Sequence, residues 1–338
     1  MLTIRPAQYS DLEALAGISA AVSALDASLS NDVKVLERLL ARSEESFAAE
    51  IDFPGEEQYL LVAAEPAGVI IGAMLIVAAA GYPGADYSFR NETIIHASHE
   101  LEVNHRLYAL TLTHDLSGFT LLRPPVTLPG GLAPVVGRAL LQAALCFIAE
   151  NPHRFAEDLI APLPGLVDDQ GESPFWSAVG SKFFGVSYRE AERHALGKDR
   201  SFMAELMPHH PIYVPLLPES AQTALGQTRD EFMATYALLI DEGFEAERYV
   251  DVFDGGPTFF VKRDLARAVQ CGRVVPVSVE PTGRPNAVAC VLANLETRHF
   301  RATLASAAMC PDGNVVVTAD VADRLELIDQ DEVRCVFA

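Results

Sequence analysis

Five places along the 338-residue chain hold side chains of the right type for chemistry. His114-Asp115 closes a strand-like run and leads into Leu116-Ser117-Gly118, a position from which side chains reach a crevice beside a sheet. A carboxylate or imidazole there suits proton removal from an attacking ammonium; the plainer alternative is a turn-forming Asp115 bonded to nearby backbone N–H groups. In Val250-Asp251-Val252-Phe253-Asp254-Gly255-Gly256-Pro257, Asp254 is either a turn residue or a carboxylate for a cationic substrate. His96, His99 and His105 look like a metal cluster in print, but an extended chain from Thr93 to His99 sends His96 and His99 to opposite faces, which argues against a metal. Gly130-Gly131 ahead of a helix, with Arg138 one or two turns in, either offers backbone N–H groups and a cation to a phosphate or simply feeds a buried helix. The Pro-punctuated segment Met207-Pro208-His209-His210-Pro211-Ile212-Tyr213-Val214-Pro215 is extended, and either lines a cleft through His209 or braces two elements.

Other chemistries lack their backbone requirement. There is no G-x-S-x-G, no Walker sequence and no G-x-G-x-x-G, which removes the hydrolase elbow, the P-loop and the dinucleotide fingerprint. Lys plus Arg number 25 against 46 Asp plus Glu, and the formal net charge of -21 repels a phosphate backbone and attracts small cations, so nucleic acid is not an expected partner. The longest apolar stretch, Val69 to Ala80, is broken by Gly72 and too short for a bilayer, and the first residues lack a signal-peptide core; no membrane partner is expected and the cytoplasm is the expected compartment. Five cysteines, Cys146, Cys271, Cys290, Cys310 and Cys335, are far apart and never form C-x-x-C, which points to reduced thiols.

The elements that must hold these groups are legible in part. Residues 2 to 6 alternate as a strand, and a Ser10–Glu13 capping box precedes Leu12, Leu15, Ile18 and Val22 at helical spacing. Ser30 as N-cap opens a second helix with Val33, Leu36, Leu40 and Phe47 on one stripe. Gln58 to Ala64 and Val69 to Ala79 form a hairpin on Glu65-Pro66-Ala67-Gly68, and Thr93 to Ala97 and Leu107 to Thr113 are further strands. A helix apolar on nearly every face runs from about Pro134 to Glu150 and stops at Asn151-Pro152. Ser173-Pro174 caps a short helix that Gly185 closes, and Thr228 with Glu231 caps another ending at Gly243. Strands Tyr249 to Phe253 and Thr258 to Lys262 follow. From about Cys271 the texture changes to short Val-rich strands, Val274 to Val279, Ala287 to Ala293, Asn314 to Ala319 and Glu332 to Phe337, with one helix near Ala322 to Leu327. The pattern is an α+β or α/β sheet flanked by helices, followed by a small β-rich unit.

Several motifs in one order carry a resemblance. Ile95-His96-Ala97-Ser98, Asp115-x-x-Gly118, Gly171-Glu172-Ser173-Pro174-Phe175-Trp176, Ala204-Glu205-Leu206-Met207-Pro208, Pro211-Ile212-Tyr213 and Asp251 through Thr258 together resemble the bacterial arginine N-succinyltransferase family. The likeness runs on to His299-Phe300-Arg301 and Val333-Arg334, and Ser88-Phe89-Arg90-Asn91-Glu92-Thr93 resembles its alpha-subunit type.

The resemblance implies a GNAT-like mixed sheet over residues 1–268, with 269–338 as the β-rich C-terminal unit. It implies transfer of succinyl from succinyl-CoA to the α-amino group of L-arginine, or L-ornithine, in arginine catabolism, with no permanently bound cofactor and a homologous beta subunit as partner. A second reading is a GNAT-like scaffold that supports a catalytic beta subunit. The expected roles are proton handling for Asp115 or His96, the substrate's cationic end for Glu205, His209 and Asp254, and CoA contacts for Gly137 and Arg138. Three departures matter. Where relatives carry an Arg-rich, Glu-Gly-Asn-Gly-like loop, this chain reads Pro134-Val135-Val136-Gly137, and proline brings no N–H to a phosphate. Pro162-Leu163-Pro164-Gly165 replaces a Glu-Met-Arg-Gly-like segment. Trp176 stands in the helix where many GNAT enzymes hold an acid tyrosine, and an indole does not replace a phenol as proton donor.

Overall fold

The apolar run from Gln58 to Val77 must turn once, and it does so at Gly68, whose φ of +83° costs glycine little. The computed structural model describes residues 2–22, 29–195 and 202–337. In it the strands are β1 (Thr3–Pro6), β2 (Gln58–Ala64), β3 (Ile70–Val77), β4 (Ser88–Ser98), β5 (Val103–Thr113), β6 (Thr120–Leu122), β7 (Val126–Thr127), β8 (Asp158–Pro162), β9 (Ile212–Tyr213), β10 (Glu245–Asp251) and β11 (Pro257–Lys262). They line up in the order β1-β2-β3-β6-β8-β11-β10-β4-β5-β9, with β7 on β3. Neighbours are antiparallel except β6 and β8, which run parallel through Thr120↔Leu159 and Leu121↔Ile160. A parallel pair needs a crossover. Beyond Leu122 the chain reads Arg123-Pro124-Pro125, and proline gives no N–H to a ladder. β7 therefore stays with β3 alone, through Gly72↔Thr127 and Ala73↔Val126, and parts from β8.

Helices follow the apolar spacing: α1 (Leu12–Ala21), α2 (Val33–Ala48), then α3 (Ala133–Glu150), the crossover between β7 and β8. α3 is long and apolar enough to span a bilayer, yet 67% of it is buried inside the fold, so it is a core helix. Its Phe147 ring lies 5.0 to 5.7 Å from those of Phe47, Tyr59, Phe155 and Phe300. Each such buried side chain contributes roughly 1.5–3 kcal/mol by leaving water. α4 (Pro174–Ala178), α5 (Gly180–Phe184), α6 (Tyr188–Ala195), α7 (Phe202–Leu206), α8 (Glu219–Ala224) and α9 (Met233–Asp241) come next. Trp176, Tyr188, Met203, Met207 and Phe253 form a second core around Phe175.

After α10 (Arg267–Gln270), strands β12 (Arg273–Glu280), β13 (Val288–Ala293), β14 (Ala302–Met309), β15 (Val315–Thr318) and β16 (Glu332–Phe337) close a ring in the order β14-β13-β16-β12-β15, returning to β14. Closure leaves no free edge, and α11 (Ala319–Leu325) buries Val321 and Leu325 against it. The ring joins the main sheet through Ile4↔Ala302 and the end of α3 through the ion pair between Arg334 and Glu150.

Three expected caps move. Gln8 and Asp11, not Ser10 and Glu13, form the box that precedes α1, because Asp11 also receives the Arg5 guanidinium at 2.7 Å. Asp32 caps α2 by accepting from Lys34 N–H, while Ser30 Oγ accepts from Asp32 N–H. Thr228 spends its hydroxyl on the Pro164 carbonyl at 2.8 Å, so α9 begins later, at Met233.

Candidate functional site

The carboxyl end of β8 is locked by a knot of backbone. Leu163 N–H donates to Pro257 O at 2.9 Å, and Asp254 accepts from Gly165 N–H at 2.7 Å and from Gly256 N–H at 2.8 Å. Only glycine fits here: a Cβ on Gly165 would stand 2.6 Å from Asp254 O, and one on Gly256 2.3 Å from Leu163 O. Arg229 completes the knot by donating from Nε to Gly165 O at 2.9 Å.

α6 lays two more groups against this knot. Tyr188 donates its hydroxyl to Glu192 Oε1 at 3.1 Å and lies 3.4 Å from Asp254 Oδ2, so one phenol proton stands between two carboxylates. Burial, then the neighbouring Asp251, pushes the Asp254 carboxyl up. Burial pushes Glu192 up to about 7, against the Tyr188 hydrogen bond, which pulls it down. Burial and the charge of Asp254 push the Tyr188 phenol up, so it stays protonated. Arg229 is the cation of the cluster; it is 8% exposed, and its Nη2 is buried with no hydrogen-bond partner. Among the described residues its Nη1 pairs with Glu231, at 3.7 Å. The buried acids Asp254 and Glu192 share the Arg229 guanidinium, and with Asp251 beside them the excess of acid favours holding a proton or receiving a cation.

Of the residues singled out in the sequence, Asp254 alone lies in this cluster. Asp115 sits behind β5, ion-paired with Arg90 Nη1 at 2.7 Å and accepting from Tyr249 OH at 3.3 Å. Hydrogen bonding with Thr113 and then the Arg90 guanidinium hold its carboxyl below the usual range. His96 is exposed on the far half of β4, its ring 6.0 Å from that of Tyr213. Six residues of strand separate it from Arg90, about 20 Å, so Asp115 and His96 do not meet at one reacting atom. Glu205 and His209 are exposed, whereas their neighbours Met203 and Met207 pack in the core that holds Phe253.

The start of α3 lies at the same end of the sheet. Gly137 is buried, and a Cβ there would meet only Pro125, at 4.0 Å. Arg138 pairs with Asp241 on α9 at 3.1 Å. Pro134 has no N–H and Ala133 gives its own to Gly130 O, so the first turn presents a poor cradle for a phosphate. Trp176 donates from Nε1 to Val186 O at 3.0 Å and serves packing.

Sequence reasoning missed Tyr188, Glu192 and Arg229. Tyr188 and Glu192 stand in the charged run Tyr188-Arg189-Glu190-Ala191-Glu192-Arg193, which reads as a solvated helix face. The available signal was period: Tyr188, Ala191 and Glu192 share the buried side at i, i+3, i+4. A cavity of about 720 Å³ lies at the other end of the same strands, lined by Phe119, Tyr236, Phe244, Tyr249 and Phe260, and it holds none of the expected residues.

An antiparallel sheet parted at one parallel pair, a buried crossover helix and an acid cluster at the parting define an α+β protein with a candidate site at a strand end. Residues 2–268 match the family described as arginine N-succinyltransferase beta subunit, and residues 273–337 match that subunit's C-terminal domain family. The chain belongs to the arginine N-succinyltransferase family, a family of transferase enzymes. The arginine N-succinyltransferase subunit alpha of Pseudomonas aeruginosa is 39% identical over 340 residues, spanning 99% of each chain. The arginine N-succinyltransferase of Escherichia coli is 31% identical over 337 residues, covering 99% of this chain and 97% of that one. The solved arginine/ornithine succinyltransferase subunit AI from Pseudomonas aeruginosa superposes with a TM-score of 0.87 at 36% identity, over 100% of this chain and 98% of that one.

Proposed function

We propose that this chain is an alpha-type arginine N-succinyltransferase subunit that transfers succinyl from succinyl-CoA to the α-amino group of L-arginine, with L-ornithine as the second amine. The full-length relation to enzymes of that name carries the reading. The parting of β7 from β8, with α3 crossing between them, supports a GNAT-like sheet over 1–268, and the closed ring supports 269–338 as its own unit. In the reaction the amine lone pair attacks the thioester carbonyl, the N–C bond forms, the C–S bond breaks and the sulfur leaves as a thiolate, which takes up the proton released by the attacking nitrogen to become CoA thiol. The ammonium proton needs an acceptor, and Glu192 suits it: half-buried, poised near neutrality and steered by Tyr188. Asp115 and His96 are the rival acceptors; the ion pair with Arg90 makes Asp115 the weaker base.

Asp254 shapes the site and adds negative charge for the substrate's cationic end, with Glu205 and His209 at the exposed approach. Gly137 and Arg138 are this chain's contribution to CoA. The acid excess suits arginine, and the poor cradle at α3 favours a homologous beta subunit completing the CoA site. That same feature favours the second reading, a GNAT-like scaffold or substrate-binding subunit. The five reduced thiols suit the cytoplasm. Thiol release from succinyl-CoA with arginine, by the purified chain with and without the homologous partner, tests the reading: turnover in either case supports transfer, and silence in both refutes it.

A further inference from the structure

β4 is longer than its outer neighbour β10 can cover. Along its outer side it pairs with β10 only through Ser88, Phe89 and Arg90, whereas β5 pairs with it without a register shift from Ser88 to Ser98. Eight residues, Asn91 to Ser98, therefore stand at an edge with no described strand beside them. An open edge presents unpaired N–H and C=O groups, and proteins blunt such edges with proline, lysine, bulges or a covering element. The segment Asn91-Glu92-Thr93-Ile94-Ile95-His96-Ala97-Ser98 has no proline, lysine or glycine, and Ile95 is 62% exposed.

We propose that this edge pairs antiparallel with the same edge of a second copy of the chain, about a two-fold axis at Ile94. The register follows from geometry. An antiparallel pair of identical strands needs a two-fold axis perpendicular to the sheet, so a residue centres on itself and opposed residues share a face. Centring on Ile94 sets Glu92 opposite the second copy's His96, twice by symmetry, and sets Ile95 against the second copy's Thr93. Centring one residue earlier would set Arg90 against His96, and one later would leave Glu92 against Ser98. The Glu92 carboxylate, already accepting from Arg90 and Thr111, keeps lone pairs for one more donor. The pairing joins two main sheets into one and covers the exposed Ile95.

The test uses the full chain in a Cys271→Ser, Cys310→Ser background, which removes the two cysteines that are not buried. Light scattering after gel filtration should give twice the 36.5 kDa chain mass, and a short bismaleimide should link Ile94→Cys but not Glu102→Cys at the hairpin tip. His96→Glu places two carboxylates face to face twice and should weaken association about tenfold, while the swap Glu92→His with His96→Glu restores it. A monomer at tens of micromolar, or a dimer in which Ile94→Cys stays unlinked, overturns the proposal. So does an edge that links only to the homologous beta-type chain.

Discussion

Glu192→Gln should stabilise the protein and inactivate it at once. The carboxyl of Glu192 is raised from 4.5 to about 7, first by burial and further by Asp254 and Asp251. A raised carboxyl binds its proton more tightly folded than unfolded. Its contribution is full below about pH 4.5 and is lost as pH climbs toward 7. The difference of about 2.5 units corresponds to about 3 kcal/mol, and water reaching the half-buried group brings this to about 1–3 kcal/mol. The amide carries no charge and can still accept from Tyr188, so the variant keeps this stability at pH 8. Urea unfolding at pH 4.5 should place the two proteins together, and at pH 8 the variant should unfold at the higher urea concentration. As proton acceptor, Glu192 also makes wild-type kcat/KM rise through about pH 7; the variant loses that limb and about 10²–10⁴ in rate. Equal urea midpoints at pH 8, or a surviving limb, would refute the reasoning.

Asp254→Ala orphans the buried N–H groups of Gly165 and Gly256 and should cost about 2–5 kcal/mol by urea unfolding. Arg334→Met leaves the partly buried Glu150 without its cation and should cost about 1–3 kcal/mol, with Glu150→Gln added in the double variant recovering most of it. Asp115→Asn breaks a partly exposed pair worth about 0–1 kcal/mol, so stability should barely move. The activity limb near pH 7 should persist in Asp115→Asn; its disappearance would move the base from Glu192 to Asp115.

What the sequence made legible was local. The Gly68 hairpin, the all-round apolar α3, the Ser173 cap with Trp176 N–H and the Gly185 stop each rest on neighbours a few residues apart. β14, Ala-Thr-Leu-Ala-Ser-Ala-Ala-Met, was not legible as a strand because small residues fit it to the inside of a closed ring, a constraint set by β13 and β15 rather than by propensity. Thr228 misled for a similar reason: its hydroxyl had a better acceptor in Pro164, 64 residues away. The acid cluster joins Gly165, Tyr188, Glu192, Arg229 and Asp254 across one helix and three loops, and no spacing rule spans those distances. Only Asp254 announced itself, because Gly-Gly-Pro after an aspartate signals a tight turn whatever the turn is for.

The carboxyl end of β8 and the start of α3, at one end of the sheet, are unequally furnished, and that inequality carries a last prediction. At the β8 end, acids and a buried guanidinium are held by a glycine knot that tolerates no side chain. At the α3 end, Pro134 offers no N–H, Ala133 has spent its own, and Arg138 is turned to Asp241. Losing two charge-assisted hydrogen bonds to a pyrophosphate, at about 1.5–3 kcal/mol each, weakens CoA binding by about 10²-fold or more. Isothermal titration of CoA into the chain alone should therefore give a Kd no tighter than about 10⁻⁴ M. Pro134→Asn with Val135→Gly, which returns one N–H and clears the approach, should tighten it at least about tenfold. Micromolar binding by the unaltered chain would mean that another surface grips the phosphates, and the argument for a completing partner would fall with it.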